Sequence, residues 1–131
     1  MSIQLIATGN LVTDPMLRYS NAGKAVCSFR IACDTGKDKP TTFKDCTAFS
    51  YIAENLAASC MKGDRVIVRG RLETQEWQGK DNKQYSKDVI IAEDIGASLM
   101  FAEVEYKRKA KEDYAGNMEQ DIPLDDPGFP E

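Results

Sequence analysis

From Ala25 to Cys33 the apolar side chains Cys27, Phe29, Ile31 and Cys33 fall on odd positions, with Ser28 and Arg30 between them. A period of two marks a strand with one face in a core, because successive strand side chains point to opposite sides of the sheet. The same grammar recurs along the chain. Residues 3–12 form an apolar, β-prone run that Thr13-Asp14-Pro15 breaks, and Ser20-Asn21-Ala22-Gly23 supplies a turn. In residues 41–51, Cys46 and Ala48 share one face, while Phe43, Asp45, Thr47 and Phe49 share the other. Residues 65–77 place Val66, Val68 and Leu72 on even positions, against Arg65, Arg69, Arg71, Glu73 and Trp77 on odd ones. Gly79-Lys80-Asp81-Asn82 reads as a hairpin turn from which residues 85–92 return as a strand, with 97–102 a candidate for one more.

One stretch has a different period. Ile52, Leu56 and Cys60 stand four apart, which predicts a short amphipathic helix over 52–61, closed by Lys62 near its C-terminal dipole and Gly63 as cap. Three strands, one short helix and then two or three strands is the order of an all-β OB-fold. That fold is a five-stranded Greek-key barrel whose helix lies between the third and fourth strands and whose open face binds oligonucleotides. Other small barrels share the order.

The 131 residues are 42% hydrophobic and 29% charged, which suits one domain with a modest core and a tail. No window approaches eighteen consecutive apolar residues, and the start has no basic region leading an apolar one. A cytoplasmic protein with no membrane partner is the expectation. Cys27, Cys33, Cys46 and Cys60 stand far apart with no Cys-x-x-Cys, so reduced and mostly buried thiols are expected. The absence of histidine removes the usual general base near neutral pH, the Ser/His and Cys/His nucleophile pairs and the commonest metal ligand. No enzyme activity, metal or cofactor is expected.

Charge is unevenly placed. All 17 Lys and Arg lie in residues 1–111 with 14 Asp and Glu, a balance of +3, while residues 112–131 hold 7 acids and no base. The net −4 therefore belongs to the tail and does not argue against a polyanionic partner. A barrel unit over 1–106 and a disordered acidic tail over 107–131 follow. Near the end, acids interleave with apolar residues in Asp121, Ile122, Pro123, Leu124, Asp125, Asp126 and Phe129, the composition of a short motif that docks on a basic, apolar pocket. A solubilising tail without a partner has the same composition.

An aromatic platform beside arginines suits single-stranded nucleic acid, since every base offers a π-face and every nucleotide a phosphate. Phe43, Phe49 and Trp77 are the stacking candidates, and Arg30, Arg65, Arg69 and Arg71 the cations. The competing reading is core packing for the aromatics and a solvated strand face for the arginines. Polar neighbours on the same parity shift the balance toward binding, the position of Trp77 beside a hairpin tip favours it there, and for Phe49 packing and binding stay equally open.

Leu11-Val12-Thr13-Asp14-Pro15-Met16-Leu17-Arg18-Tyr19 and Lys62-Gly63-Asp64-Arg65-Val66-Ile67-Val68-Arg69-Gly70-Arg71-Leu72, correctly ordered, resemble bacterial-type single-stranded DNA-binding proteins. Coverage runs from about Leu5 to Met100, through Phe29-Arg30-Ile31-Ala32 and the aromatic strand. The resemblance implies an OB-fold that wraps single-stranded DNA without sequence preference, as a homotetramer or a dimer, in replication, recombination and repair. It carries stacking roles onto Phe43, Phe49 and Trp77. A further family aromatic, in the loop after the second strand, is replaced by Asp34-Thr35-Gly36-Lys37-Asp38-Lys39. The family's acidic tip recruits replication and repair proteins. Here its echoes lie upstream of the carboxyl end, as would fit a phage or mobile-element version.

Two other readings compete. An accessory OB module, a primosome component or RNA-binding adaptor, would share the fold and prefer protein or RNA. A metal-dependent nuclease would need Asp14, Asp34, Asp38 and Asp45 to converge.

Overall fold

The period-two segments become strands. The computed structural model describes residues 1–109 and contains β1 (Ile3–Leu11), β2 (Met16–Tyr19), β3 (Ala25–Cys33), β4 (Thr42–Phe49), α1 (Ser50–Ser59), β5 (Arg65–Gln78) and β6 (Gln84–Ala97). The sheet order is β1-β5-β6-β4-β3-β2, and β1 pairs with β3 as well. Five strands therefore close into a ring, in which β4 and β6 run parallel and the other neighbours antiparallel. This is the OB-fold barrel with its helix after the third barrel strand, as the element order predicts. The additional strand is β2. All four of its residues are exposed, and a run of four with Met16 and Leu17 side by side is too short to show a period of two.

Closure of the ring rests on a short seam, Asn10 opposite Ala32 and Leu11 opposite Ile31. A Cβ on Gly9 would stand 2.7 Å from the carbonyl oxygen of Ala32, so only glycine lets β1 approach β3 this closely. Inside, Cys27, Phe29 and Ile31 of β3 meet Cys46 and Ala48 of β4, Val66 and Val68 of β5, and Ile90 and Ala92 of β6. The alternation read from the sequence thus sorts β3, β4 and β5 correctly into core and solvent faces.

The helix differs from the expectation in bounds and face. It starts at Ser50, and Tyr51, Ala53 and Leu56 are its buried residues, with Ile52, Ala57 and Cys60 only partly buried. Gly63 is not the cap. The chain leaves the helix extended at Cys60, φ −123°, whose N–H donates to Leu56 O, and Gly63 serves the following turn at φ +93°, its N–H donating to Leu11 O at 2.9 Å.

The last strand, β6, is longer than the 85–92 segment. It continues to Ala97 because residues 66–69 of β5 need partners there, and Glu93 is the extra residue of a bulge between the Arg69–Asp94 and Gly70–Ala92 pairs. Residues 98–102 form no strand. All four cysteines are free thiols, Cys27 and Cys46 buried, Cys33 and Cys60 half-buried. Among the described residues no helix is long and apolar enough to cross a membrane. The tail residues Asp121, Ile122, Pro123, Leu124, Asp125, Asp126 and Phe129 lie outside the described residues.

Candidate nucleic-acid interface

Register decides which outward side chains share a surface. Phe43, Asp45, Thr47 and Phe49 of β4 lie opposite Ala32, Arg30, Ser28 and Val26 of β3. On the other side, Asp45 and Thr47 are in register with Val89 and Ile91 of β6, which face Glu73 and Arg71 of β5. Two steps along the same β6 row come Lys87, opposite Gln75, and then Tyr85, opposite Trp77. One outward face therefore runs across β3, β4, β6 and β5.

Its aromatic end is the β5–β6 hairpin. Trp77 and Tyr85 are 46% and 41% exposed, and their rings stack with centroids 5.8 Å apart and planes 19° apart. The Tyr85 hydroxyl donates to Asp81 Oδ2 at 2.5 Å across the turn. That hydrogen bond raises the Tyr85 phenol above its ordinary value, and it is the largest of the effects holding the Asp81 carboxyl below the usual carboxylate range. A Cβ on Gly79 would fall 2.5 Å from Tyr85 Cε2, so the bare glycine leaves the ring its place over the turn.

Phe43 is also exposed, with the Arg30 guanidinium 5.0 Å from its ring centroid. Phe49 sits at the far end of β4, half-buried, with Lys24 Nζ 5.1 Å from its ring centroid. Arg30 and Lys87 both approach Asp45, at 3.8 and 3.5 Å.

The other arginines are spread out. Arg69 and Arg71 share Glu93 at 3.4 and 3.6 Å, and Arg71 also reaches Glu73 at 2.7 Å. Arg65 lies at the opposite end of β5 from Trp77, about 40 Å along an extended strand. It is half-buried, its guanidinium 5.7 Å from the Phe101 ring centroid. The odd-position stripe thus breaks into an aromatic tip, two acid-paired arginines and a separate Arg65. Phe43, Arg30 and the Trp77 hairpin share one face, which Phe49 borders.

Tyr85, Lys87 and Lys24 were absent from the candidates read off the sequence. Tyr85 was reachable: a turn centred on residues 79–83 pairs Gln78 with Gln84, and hence Trp77 with Tyr85. Lys87 follows by parity from Tyr85, whereas Lys24 reaches Phe49 through a turn that no periodicity describes. The carboxylates of the nuclease reading are engaged separately, Asp14 accepting from the Lys62 N–H, Asp34 from Thr41, and Asp45 from Lys87. Among the described residues no group of three or more Cys, Asp or Glu could hold a metal ion.

Comparison with known proteins agrees with this architecture. A single-stranded DNA-binding protein of Corynebacterium glutamicum is 34% identical over 79% of this chain and 50% of its own length. One from Paenarthrobacter aurescens is 33% identical over 82% of this chain and 68% of its own, and one from Mycobacterium bovis 32% identical over 79% and 68%. The chain thus spans half to about two thirds of the length of these relatives. The profile of the single-strand binding protein family matches residues 3–98, the whole barrel from β1 to the end of β6, and the chain belongs to that family.

Proposed function

We propose that this chain binds single-stranded DNA without regard to sequence, stacking bases on Trp77, Tyr85 and Phe43 and holding phosphates with Arg30 and neighbouring cations, and that it performs no chemistry on the strand. The observation that carries this is the stacked Trp77–Tyr85 pair, left open to water on the same outward face as Phe43. Flat rings in solvent forgo burial that a base would supply, and base stacking on such rings contributes about 1–3 kcal/mol per base. A duplex hides its bases, so this surface separates single strands from double. Phe49, Arg65, Arg69 and Arg71 then line the path of a strand wrapping beyond the platform. The relatives' shared description as single-stranded DNA-binding proteins supports the reading.

On this reading a barrel unit over 1–106 protects DNA during replication, recombination and repair, in the cytoplasm and at the nucleoid. The acidic segment over 107–131 recruits replication and repair proteins through Asp121, Ile122, Pro123, Leu124, Asp125, Asp126 and Phe129. A homotetramer is the working assembly. Ile3 to Gly9 pair on one side only among the described residues, and Ile6 and Ile67 are 69% and 40% exposed on the adjoining β1–β5 surface, which gives a second copy an edge and an apolar patch to cover.

The test is the fluorescence of Trp77, the only tryptophan, titrated with an oligothymidylate and with a duplex of equal length. Strong quenching by the single strand alone, weakening with salt, is expected. No change with either would favour an accessory OB module that binds protein, and a preference for RNA would favour an adaptor.

A further inference from the structure

Asp45 stands on β4 between two cations from the flanking strands. Its Oδ1 is 3.8 Å from Arg30 Nε on β3, and its Oδ2 is 3.5 Å from Lys87 Nζ on β6. The same Arg30 guanidinium lies 5.0 Å from the centroid of the Phe43 ring. All three charged side chains remain in water, 54% exposed for Arg30, 41% for Asp45 and 48% for Lys87. Exposed ion pairs at such distances add little to folding, so stability does not account for placing Asp45 between these two cations. The arrangement differs from that of Arg71, which is closed on Glu73 at 2.7 Å and shares a second acid, Glu93, with Arg69. At Asp45 one carboxylate serves two bases, loosely.

We propose that Arg30 and Lys87 form a phosphate subsite beside Phe43, and that Asp45 occupies it in the free protein in place of the phosphate of a bound strand. The inference rests on the reading of this face as a single-stranded DNA platform. A base stacked on Phe43 brings its own phosphate to the neighbouring cations, and the anion already lodged between them marks the spot. Binding is then an exchange: phosphate enters between Arg30 and Lys87, two long contacts to Asp45 break, and the carboxylate turns to water. Part of the electrostatic gain is cancelled at each encounter. Binding at this face therefore depends more on stacking, and less on salt, than its cations alone imply.

The experiment titrates the full chain with oligothymidylate over a series of salt concentrations, comparing wild type with Asp45→Asn and Glu103→Gln. The asparagine keeps the shape of an exposed side chain. Asp45→Asn is expected to bind about five-fold tighter at low salt, the effect of one charge about 4 Å away in water. The slope of log affinity against log salt should steepen by about 0.7, the value for one more phosphate neutralised on a single strand. Glu103→Gln makes the same change in net charge outside the sheet, past the end of β6, and should match wild type. Adding Arg30→Gln and Lys87→Gln to Asp45→Asn should remove the gain. Unchanged or weaker binding by Asp45→Asn overturns the inference, as does an equal gain in Glu103→Gln. Failure of wild type itself to bind overturns the platform reading and this inference with it, so the two failures are distinguishable.

Discussion

Gly79 and the ring of Tyr85 occupy adjoining space: a Cβ on residue 79 would come within 2.5 Å of Tyr85 Cε2 and 2.8 Å of Asp81 Oδ1. The hairpin tip is thus shaped by the absence of a side chain. Gly79→Ala is expected to displace Tyr85 from Trp77 and release its hydroxyl from Asp81. The stacking preference at stake is about 0.5–1.5 kcal/mol. Tryptophan emission and oligothymidylate affinity should both shift while the melting temperature of the barrel stays close to wild type, because the tip lies outside the core cluster. An unchanged emission spectrum would show that the ring tolerates the methyl.

Trp77 and Phe49 should respond differently to truncation. Trp77→Ala removes a half-exposed ring, so DNA binding is expected to fall by about 1–3 kcal/mol with little loss of stability. Phe49 is half-buried at the start of α1, and Phe49→Ala should lower stability as well as binding. Thermal melts alongside the binding titrations separate the two, and a large stability loss in Trp77→Ala would place that ring in the core.

This contrast marks how far the sequence could be read. Parity sorted Cys46 and Ala48 inward and Phe43 and Asp45 outward, because β4 is buried on one side and the period of two is then enforced. The order of strands was legible for the same reason, and the helix from its separate four-residue spacing, although not its bounds or buried face. Parity could not show that Arg69 and Arg71 meet Glu93, since that acid comes from a bulge in another strand and bulges break the period. Nor could it show β2, a run of four too short to carry a period of two.

Titration should reveal the hydrogen bond at the tip. Tyr85 has its pKa raised and Asp81 its pKa lowered, each chiefly by the other. The Asp81 contribution is complete above its unfolded pKa of about 4 and is lost as pH falls through its lower folded value. The Tyr85 contribution is complete below about 10 and is lost as pH rises through its higher folded value. The platform is therefore expected to hold its geometry throughout the neutral range. Tyr19, bonded to Glu54 at 3.0 Å, is raised in the same way, so Tyr19 and Tyr85 should both ionise late in an alkaline absorbance titration. Asp81→Asn should return one of them toward the ordinary value, and no change there would remove the bond from the account.

The thiols should be slow to react. Burial raises all four cysteine pKa values, that of Cys46 to about 12, which leaves little thiolate at neutral pH. Half-buried Cys33 and Cys60 are expected to react with a thiol reagent before Cys27 and Cys46, which should wait for unfolding. Mass spectrometry of partly labelled protein gives the order directly, and early labelling at Cys46 would contradict the burial of β4's inner face.

The two-residue seam between β1 and β3 has a mechanical meaning. A ring fastened by Asn10–Ala32 and Leu11–Ile31 on one side, by three pairs between β4 and β6, and by much longer ladders at the other joints, behaves as a band with a clasp. Thermal opening begins at the clasp, where the fewest bonds must part, and amide exchange should be fastest there. Counted around the ring from that point, β6 is the strand furthest from either loose end. The long β5–β6 ladder keeps Trp77 beside Tyr85 when the clasp parts, whereas Arg30 sits on β3, one of the two strands that separate. The aromatic tip therefore holds its shape while the Arg30 end of the surface moves with the barrel.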